Sequence, residues 1–209
     1  MNWNQFAEDN LPSSTAIQND LNQPDQKVLT SERIGYHYQM VIKEWLFLTQ
    51  LNYRLPRFDL FAALKYTHTI YQRTGFYRNG VFPLQSFGPS HPDHFRNLFV
   101  KTGLTYKMNG RNYLYLHGAI SSLPPLVNDW YISPRSNAIK QPKQFSEQSL
   151  MIEAGYILNA PLLKLTLNWY FILLTKGMVV MSFYHDGYRN LVNYALNILS
   201  TQHIGIESS

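Results

Sequence analysis

The feature that most constrains the fold is a series of segments in which apolar and polar residues alternate, joined in pairs by very short connections. Residues 43–53 and 58–71 form the first pair, with only Arg54 to Arg57 between them. Alternation with a period of two places every second side chain on the same face of a strand. A connection this short suits a β-hairpin. We therefore predict antiparallel strands, each with one apolar and one more polar face.

Two further pairs of segments show the same pattern. These pairs are 97–108 with 112–120, and 149–158 with 162–174. Asn109 and Gly110 lie at the first of these two turns. An Asn-Gly dipeptide readily adopts the positive φ angles of a type I′ turn. We therefore predict a hairpin with a type I′ turn at this position.

Long connections separate the predicted hairpins. They are residues 72–96, 121–148 and 175–193. The third contains a strand-like run, Met178–Tyr184, part of which would belong to the sheet. Short turns at one end and long loops at the other are typical of transmembrane β-barrels, whose tilted strands need about 9–11 residues to cross the bilayer. We therefore predict an all-β fold: an antiparallel up-and-down meander, a partial transmembrane β-barrel with long loops on one side.

The composition is consistent with a sheet that has one face in a non-aqueous medium. Aromatic residues make up 15% of the chain and charged residues also 15%, whereas soluble domains usually carry about 25% charged residues. A soluble β-sandwich or a lipocalin-like barrel also fits this composition, but it explains the regular order of short and long connections less well. The absence of cysteine excludes disulfides and thiol chemistry. The scattered Lys and Arg residues do not indicate a nucleic-acid partner.

One segment, Leu162–Tyr184, is apolar enough to be considered as a membrane helix. Lys164, Asn168 and Lys176 interrupt it, and a spanning helix needs roughly 20 continuous apolar residues. Its residue types favour a strand. Within it, Phe171–Leu174 is apolar on both faces, whereas a barrel strand keeps its lumen side polar. The local register of this strand is therefore left open by the sequence.

Five runs follow one another along the chain in the order found in one family. They are Gly103–Tyr115, Pro124-Pro125, Tyr131–Arg135, Glu153–Tyr156 and Met181–Tyr194. In that order they resemble the C-terminal part of the β-barrel of TonB-dependent outer-membrane receptors of Bacteroidetes type. The resemblance covers about residues 33–209, which would form about six to eight strands of a truncated barrel. Residues 1–32 are expected to be a polar N-terminal segment or loop.

The resemblance implies a transport function and no enzyme activity. Receptors of this family hold a plug domain inside a barrel of about 22 strands and import iron chelates, cobalamin or glycans with energy supplied through TonB. The implied partners are outer-membrane lipid, an imported nutrient, and TonB through a plug domain only; no cofactor is implied. We recognise no plug, TonB box or signal peptide in these residues, so we expect a receptor barrel fragment that is inactive alone. The alternative is a small independent outer-membrane β-barrel acting as a binding module or adhesin.

Aromatic and arginine residues in the long connections are the candidate ligand contacts. They are Trp130, Tyr131, Arg135, Tyr184, Tyr188 and Arg189. Aromatic faces can stack on sugars or macrocycles, and a guanidinium group can bind a carboxylate through two hydrogen bonds. The competing role for these residues is loop packing or an aromatic girdle at the membrane interface.

Two other groups of residues have the types, but not the spacing, of a reactive site. The run His91-Pro92-Asp93-His94 contains possible metal ligands but matches no specific zinc pattern. Ser182, His185 and Asp186 have the residue types of a hydrolytic triad, but the sequence has no G-x-S-x-G elbow. We therefore predict no metal site and no catalytic residues.

Overall fold

A computed structural model gives the fold of most of the chain. It describes residues 18–24, 27, 29, 32–33, 35–142, 145–185 and 190–209. The strands are β1 (Tyr38–Arg54), β2 (Phe58–Gly75), β3 (Gly88–Pro89), β4 (Asp93–Lys107), β5 (Asn112–Leu123), β6 (Glu147–Asn159), β7 (Lys164–His185) and β8 (Asn190–Ser208). A single helical turn, α1 (Val127–Trp130), lies between β5 and β6. No helix in the described part of the chain is long and apolar enough to span a membrane.

The strands form one antiparallel sheet in the order β1-β2-β4-β5-β6-β7-β8, with the short β3 paired to β2. Every strand pairs with its neighbour along this path, as expected for a meander. In the described residues β1 and β8 are the two edges of the sheet, which is not closed. The predicted all-β antiparallel meander is confirmed.

The connections alternate between a short-turn end and a long-loop end of the sheet. Residues 55–57, 108–111 and 160–163 form the short turns, and residues 76–92, 124–142 and 145–146 lie at the long-loop end. The third connection, predicted over 175–193, is much shorter, because β7 continues to His185 and β8 begins at Asn190. The strand-like run Met178–Tyr184 lies in the sheet, as expected. The apolar residues of this run favour a strand, and pairing with β8 extends it.

The turn at Asn109 and Gly110 differs from the predicted type. Neither residue has a positive φ angle, so the prediction of a type I′ turn is wrong. Instead, the side-chain Oδ1 of Asn109 accepts hydrogen bonds from the backbone N–H groups of Arg111 and Asn112, both at 2.9 Å. The asparagine side chain thus takes the place of a backbone acceptor, as in an Asx turn.

Cross-strand pairing sorts the strand residues into two faces. We call outer the face that carries the row Thr49, Leu64, Val100, Ile120, Leu150 and Leu173. We call inner the face that carries the next row, Gln50, Ala63, Lys101, Ala119, Met151 and Ile172. The outer row is almost entirely apolar, and the inner row mixes polar, charged and apolar residues.

Large apolar side chains on the outer face are exposed. Leu51 is 73% exposed and Ile206 is 78% exposed. Among the described residues, the buried apolar side chains are only Tyr71, Phe95 and Tyr131 at the long-loop end and Val192 on β8. Most of the apolar surface of this sheet therefore lies on the outer face, although Ile42, Leu46 and Leu48 of β1 are exposed on the inner face, and in the described residues it does not pack against a second layer.

Strand β7 is continuous through the segment whose register the sequence left open. Phe171 pairs with Ile152 on the outer face, and Ile172 pairs with Met151 on the inner face. The register shifts only beyond Leu174, where Lys176 adopts a φ of 57° next to Gly177. This is a β-bulge, in which one strand carries an extra residue and bends. The apolar block is thus accommodated by an apolar strip on the inner face.

Three aromatic rings on the inner face lie over glycines of the adjacent strand. The directly opposed pairs are Phe61 with Gly103, Tyr115 with Gly155, and Tyr170 with Gly205. A Cβ atom built on Gly155 would lie 2.4 Å from the ring of Tyr115. In this position the Tyr115 hydroxyl donates a hydrogen bond to Glu153 Oε1 at 3.0 Å and contacts Asn168 Oδ1. Each glycine therefore makes room for a ring from the neighbouring strand.

We expect the substitution Gly155→Ala to destabilise the sheet by roughly 1–3 kcal/mol, because the new methyl group displaces the Tyr115 ring and its hydrogen bonds. Gly118→Ala is the matched control, since a Cβ atom at Gly118 meets nothing within 4 Å. The control should change stability by no more than about 1 kcal/mol, in the stabilising direction. Urea unfolding of the two variants in detergent measures the difference, and equal midpoints would contradict the role assigned to Gly155.

Candidate functional site

The connection between β5 and β6 folds back over the inner face at the long-loop end. We call its described residues, 124–142 and 145–146, the capping loop. The Tyr71 hydroxyl donates a hydrogen bond to the Pro125 carbonyl at 2.9 Å. The Phe95 ring meets the Trp130 ring edge to face, with centroids 4.8 Å apart. The capping loop is therefore packed onto β2 and β4.

The carboxylate of Asp93 binds two points of the capping loop. Trp130 Nε1 donates to Oδ2 at 2.7 Å, and Lys140 Nζ donates to Oδ1 at 2.6 Å. Charge-assisted hydrogen bonds are shorter and stronger than neutral ones. Asp93 thus fixes both ends of the segment that contains Tyr131 and Arg135.

Arg73 is a second anchor for the same loop. It is 2% exposed, and its Nε donates to the Pro134 carbonyl at 2.7 Å while Nη1 donates to the Ser86 carbonyl at 3.0 Å. Its guanidinium carbon lies 5.5 Å from the centre of the Tyr38 ring. Burial lowers the pKa of Arg73, and the nearby Tyr131 and Tyr38 act in the opposite direction. Arg73 therefore joins β1, β2 and both long connections.

The capping loop also reaches the far side of the sheet. The backbone N–H of Asn193 on β8 donates to the Ile132 carbonyl at 3.0 Å. Gln141 Nε2 donates to the Asn193 carbonyl at 2.6 Å. The loop thus contacts β2 and β4 on one side and β8 on the other, across the inner face. Within it, burial raises the pKa of the Asp129 carboxyl.

The structure brings three of the candidate ligand contacts together in the capping loop. Tyr131 is fully buried, and the Trp130 ring is held between Phe95 and Asp93, so both side chains pack the loop in this conformation. Arg135 is exposed. Tyr184 is exposed near the end of β7. Tyr188 and Arg189 lie outside the described residues.

A cleft beside Arg135 combines cationic and aromatic side chains. It has a volume of about 390 Å³ and is lined by Arg33, Tyr36, His37 and Tyr38. The Arg135 guanidinium carbon lies 5.2 Å from the centre of the Tyr36 ring. The sequence analysis did not predict this cleft. The four cationic or aromatic residues within 33–38, at the start of the first strand, could have indicated it. Such a set can hold a planar or anionic ligand by stacking and charge.

The residues considered for a metal site lie on opposite faces of the sheet. Asp93 faces inward to the capping loop, whereas the adjacent His94 faces outward and lies against His68. In the described residues, no three or more His, Asp or Glu side chains form a group that could hold a metal ion. Ser182 donates to Asn193 Oδ1 at 2.7 Å, and Asp186 lies outside the described residues.

Comparison with known proteins identifies a fold. No family model matches the sequence, and no curated protein matches it. A solved structure that does match is the copper transporter OprC, a TonB-dependent outer-membrane receptor, with a TM-score of 0.56 and 13% sequence identity. The match covers 81% of this chain and 26% of the OprC chain, so this chain spans about a quarter of the length of the protein it matches. The likeness concerns the fold of the antiparallel sheet.

We expect Asp93→Asn to release the capping loop, because Lys140 loses its ion pair and Trp130 loses a charged acceptor. Hydrogen bonds to charged groups contribute about 1.5–3 kcal/mol, so trypsin should cut after Arg135 and Lys140 roughly tenfold faster or more. The matched control is Asp59→Asn, which breaks the ion pair of equal length (2.6 Å) with Lys107 at the other end of the sheet. Equal cleavage rates in the two variants would refute the anchoring role.

Proposed function

We propose that the chain forms part of the wall of a TonB-dependent outer-membrane receptor that imports a nutrient, with energy transmitted from TonB through a plug domain. The observation that carries this proposal is the separation of the sheet into an exposed apolar outer face and a mixed, largely polar inner face. A lipid-facing barrel wall has this arrangement, with alternate residues turned to lipid and to the lumen. The likeness to part of the OprC barrel supports the same conclusion.

The outer face of β1 has the dimensions of a membrane-crossing strand. From Tyr53 to Trp45 its outward residues are apolar or aromatic apart from Thr49, and Lys43 follows. This stretch matches the about 9–11 residues that a tilted strand needs to cross a bilayer. Aromatic residues at both ends correspond to the girdles of barrel proteins. With 17 residues, β1 is longer than the crossing requires, so it extends beyond the bilayer at the long-loop end.

Strand direction favours a wall section over a small independent barrel. The path from β1 to β8 contains seven strands in antiparallel order, so β1 and β8 run in the same direction. Pairing these two edges directly would create a parallel junction, whereas up-and-down barrels of this kind close with an even number of antiparallel strands. The described sheet therefore requires an odd number of additional strands to close. We place those strands in the rest of the receptor wall.

The cleft beside the capping loop is the proposed contact for the nutrient. Arg33 lines the cleft and contacts His37 Nε2, and Arg135 lies over the Tyr36 ring at its edge, so two guanidinium groups are available there. Of an iron chelate, cobalamin and a glycan, these groups favour an iron chelate with free carboxylates. Guanidinium groups bind carboxylates through strong paired hydrogen bonds.

We expect Arg135→Gln to weaken the binding of ferric citrate by roughly tenfold or more, because a charge-assisted hydrogen bond contributes about 1.5–3 kcal/mol. Isothermal titration of the chain in detergent measures this affinity. The control is Arg57→Gln, which removes the same charge from a short turn at the opposite end and should leave binding unchanged. A neutral oligosaccharide that binds as tightly as ferric citrate would overturn the choice of ligand.

The membrane assignment itself is tested by an arginine on each face of the sheet. Leu64→Arg on the outer face should reduce incorporation into lipid vesicles, because an arginine facing lipid at the midplane costs about 2–4 kcal/mol. Gln50→Arg, on the inner face of the adjacent strand, is the control and should float with vesicles as the parent does. A chain that is β-rich and monomeric in plain buffer, and indifferent to both substitutions, would refute the proposal. Discrete pores formed by the chain alone would favour the independent barrel.

A further inference from the structure

A cluster of basic side chains lies on the outer face immediately beyond the apolar band, toward the long-loop end. Its members are Lys43, His68, His94 and Arg96, which we call the outer basic patch. His68 lies between Trp45 and Arg96 in one cross-strand row, and Ile70 lies between Lys43 and His94 in the next. The patch therefore begins in the same row as Trp45, the last aromatic residue of the band on β1.

The two histidines are in contact, and three of the four side chains are open to the surroundings. His68 Nε2 lies 3.2 Å from His94 Nδ1, and the two rings stack with centroids 5.4 Å apart. Lys43, His94 and Arg96 are exposed. Neighbouring strands lie about 4.8 Å apart, so Lys43 on β1 and Arg96 on β4 lie about 10 Å apart across the sheet, in adjacent outer-face rows. Both side chains are long enough to reach toward one phosphate group between them.

No carboxylate compensates this charge on the same face. Wherever cross-strand pairing fixes the register of the described strands, the acidic residues all lie on the inner face: Glu44, Asp59, Asp93, Glu147, Glu153 and Glu207. The acidic neighbours of the patch along the chain are bonded there, Glu44 to Thr69 and Asp93 to Lys140. The same pairing places Lys and Arg side chains on the outer face only at Lys43 and Arg96.

We propose that the outer basic patch binds the phosphate group of an anionic lipid in the leaflet at the long-loop end, an inference that rests on the proposed membrane location. A lipid is favoured over a free anion because the patch is continuous with the apolar band. Acyl chains would lie along Phe47 and Tyr66 while the headgroup reaches Lys43 and Arg96. Trp45 lies between them, at the level where tryptophan is enriched in membrane proteins.

The test is the lipid composition around the full chain in nanodiscs made from equal amounts of phosphatidylcholine and phosphatidylglycerol. Native mass spectrometry measures how strongly the retained lipid is enriched in phosphatidylglycerol. A Lys or Arg near an anionic surface contributes a factor of roughly five, so Lys43→Gln with Arg96→Gln should reduce the enrichment roughly 25-fold. Lys65→Gln with Lys101→Gln is the matched control, because it removes equal charge from the inner face.

Each outcome decides the proposal. Enrichment that falls in the outer-face variant and persists in the control supports it, as does its retention when Lys43→Arg is combined with Arg96→Lys. Equal enrichment in the parent and the outer-face variant overturns it, and so does displacement of the lipid by inorganic phosphate, which would indicate a small-anion site. If the outer-face variant does not fold, the salt dependence of the parent tests the proposal. The enrichment of the parent should fall as salt is raised, and an enrichment that does not change with salt overturns the proposal. A parent chain that enters no nanodisc and is instead β-rich and monomeric in plain buffer contradicts the proposed function itself.

Discussion

Backbone pairing between neighbouring strands is the constraint on which the other features of this sheet depend. Because side chains alternate with a period of two, a slip of one residue in any pairing would move every side chain of that strand to the opposite face. The observed register places Leu64 outward and Lys65 inward, and brings Tyr115 opposite Gly155. The apolar outer surface, the inner aromatic rings and the outer basic patch all follow from one consistent set of pairings.

The sequence was sufficient to predict the strands and short turns because their signals are local. Period-two alternation and brief connections do not depend on distant residues, and the meander they predicted is confirmed. The failures arose where a local rule competed with another interaction. The Asn109 side chain replaced a positive-φ turn, and pairing with β8 extended β7 through most of a segment that was predicted to be a long connection with a short strand-like run. Phe61 is an apolar residue on the more polar inner face of β2, where Gly103 on β4 makes room for its ring.

The candidate site was less predictable because its contacts join residues far apart in the sequence. Trp130, Tyr131 and Arg135 were identified as loop residues that could contact a ligand, and the structure uses Trp130 and Tyr131 for packing. Their anchors, Asp93 and Arg73, lie on strands and gave no local signal of this role. Asp93 was considered as a metal ligand because of its histidine neighbours, although alternation along β4 turns it away from His94.

The capping loop has a consequence for the dimensions of the whole wall. It is tied to β2 and β4 near one edge of the sheet and to β8 at the other, while the strands between them follow a longer path. The capping loop spans the section in a straight line, and the strands form a curve of fixed length above it. For a curve of fixed length, the straight-line distance between its ends determines its radius. The capping loop therefore sets the curvature of this section of the sheet. That curvature in turn sets the diameter of any barrel of which the section is part.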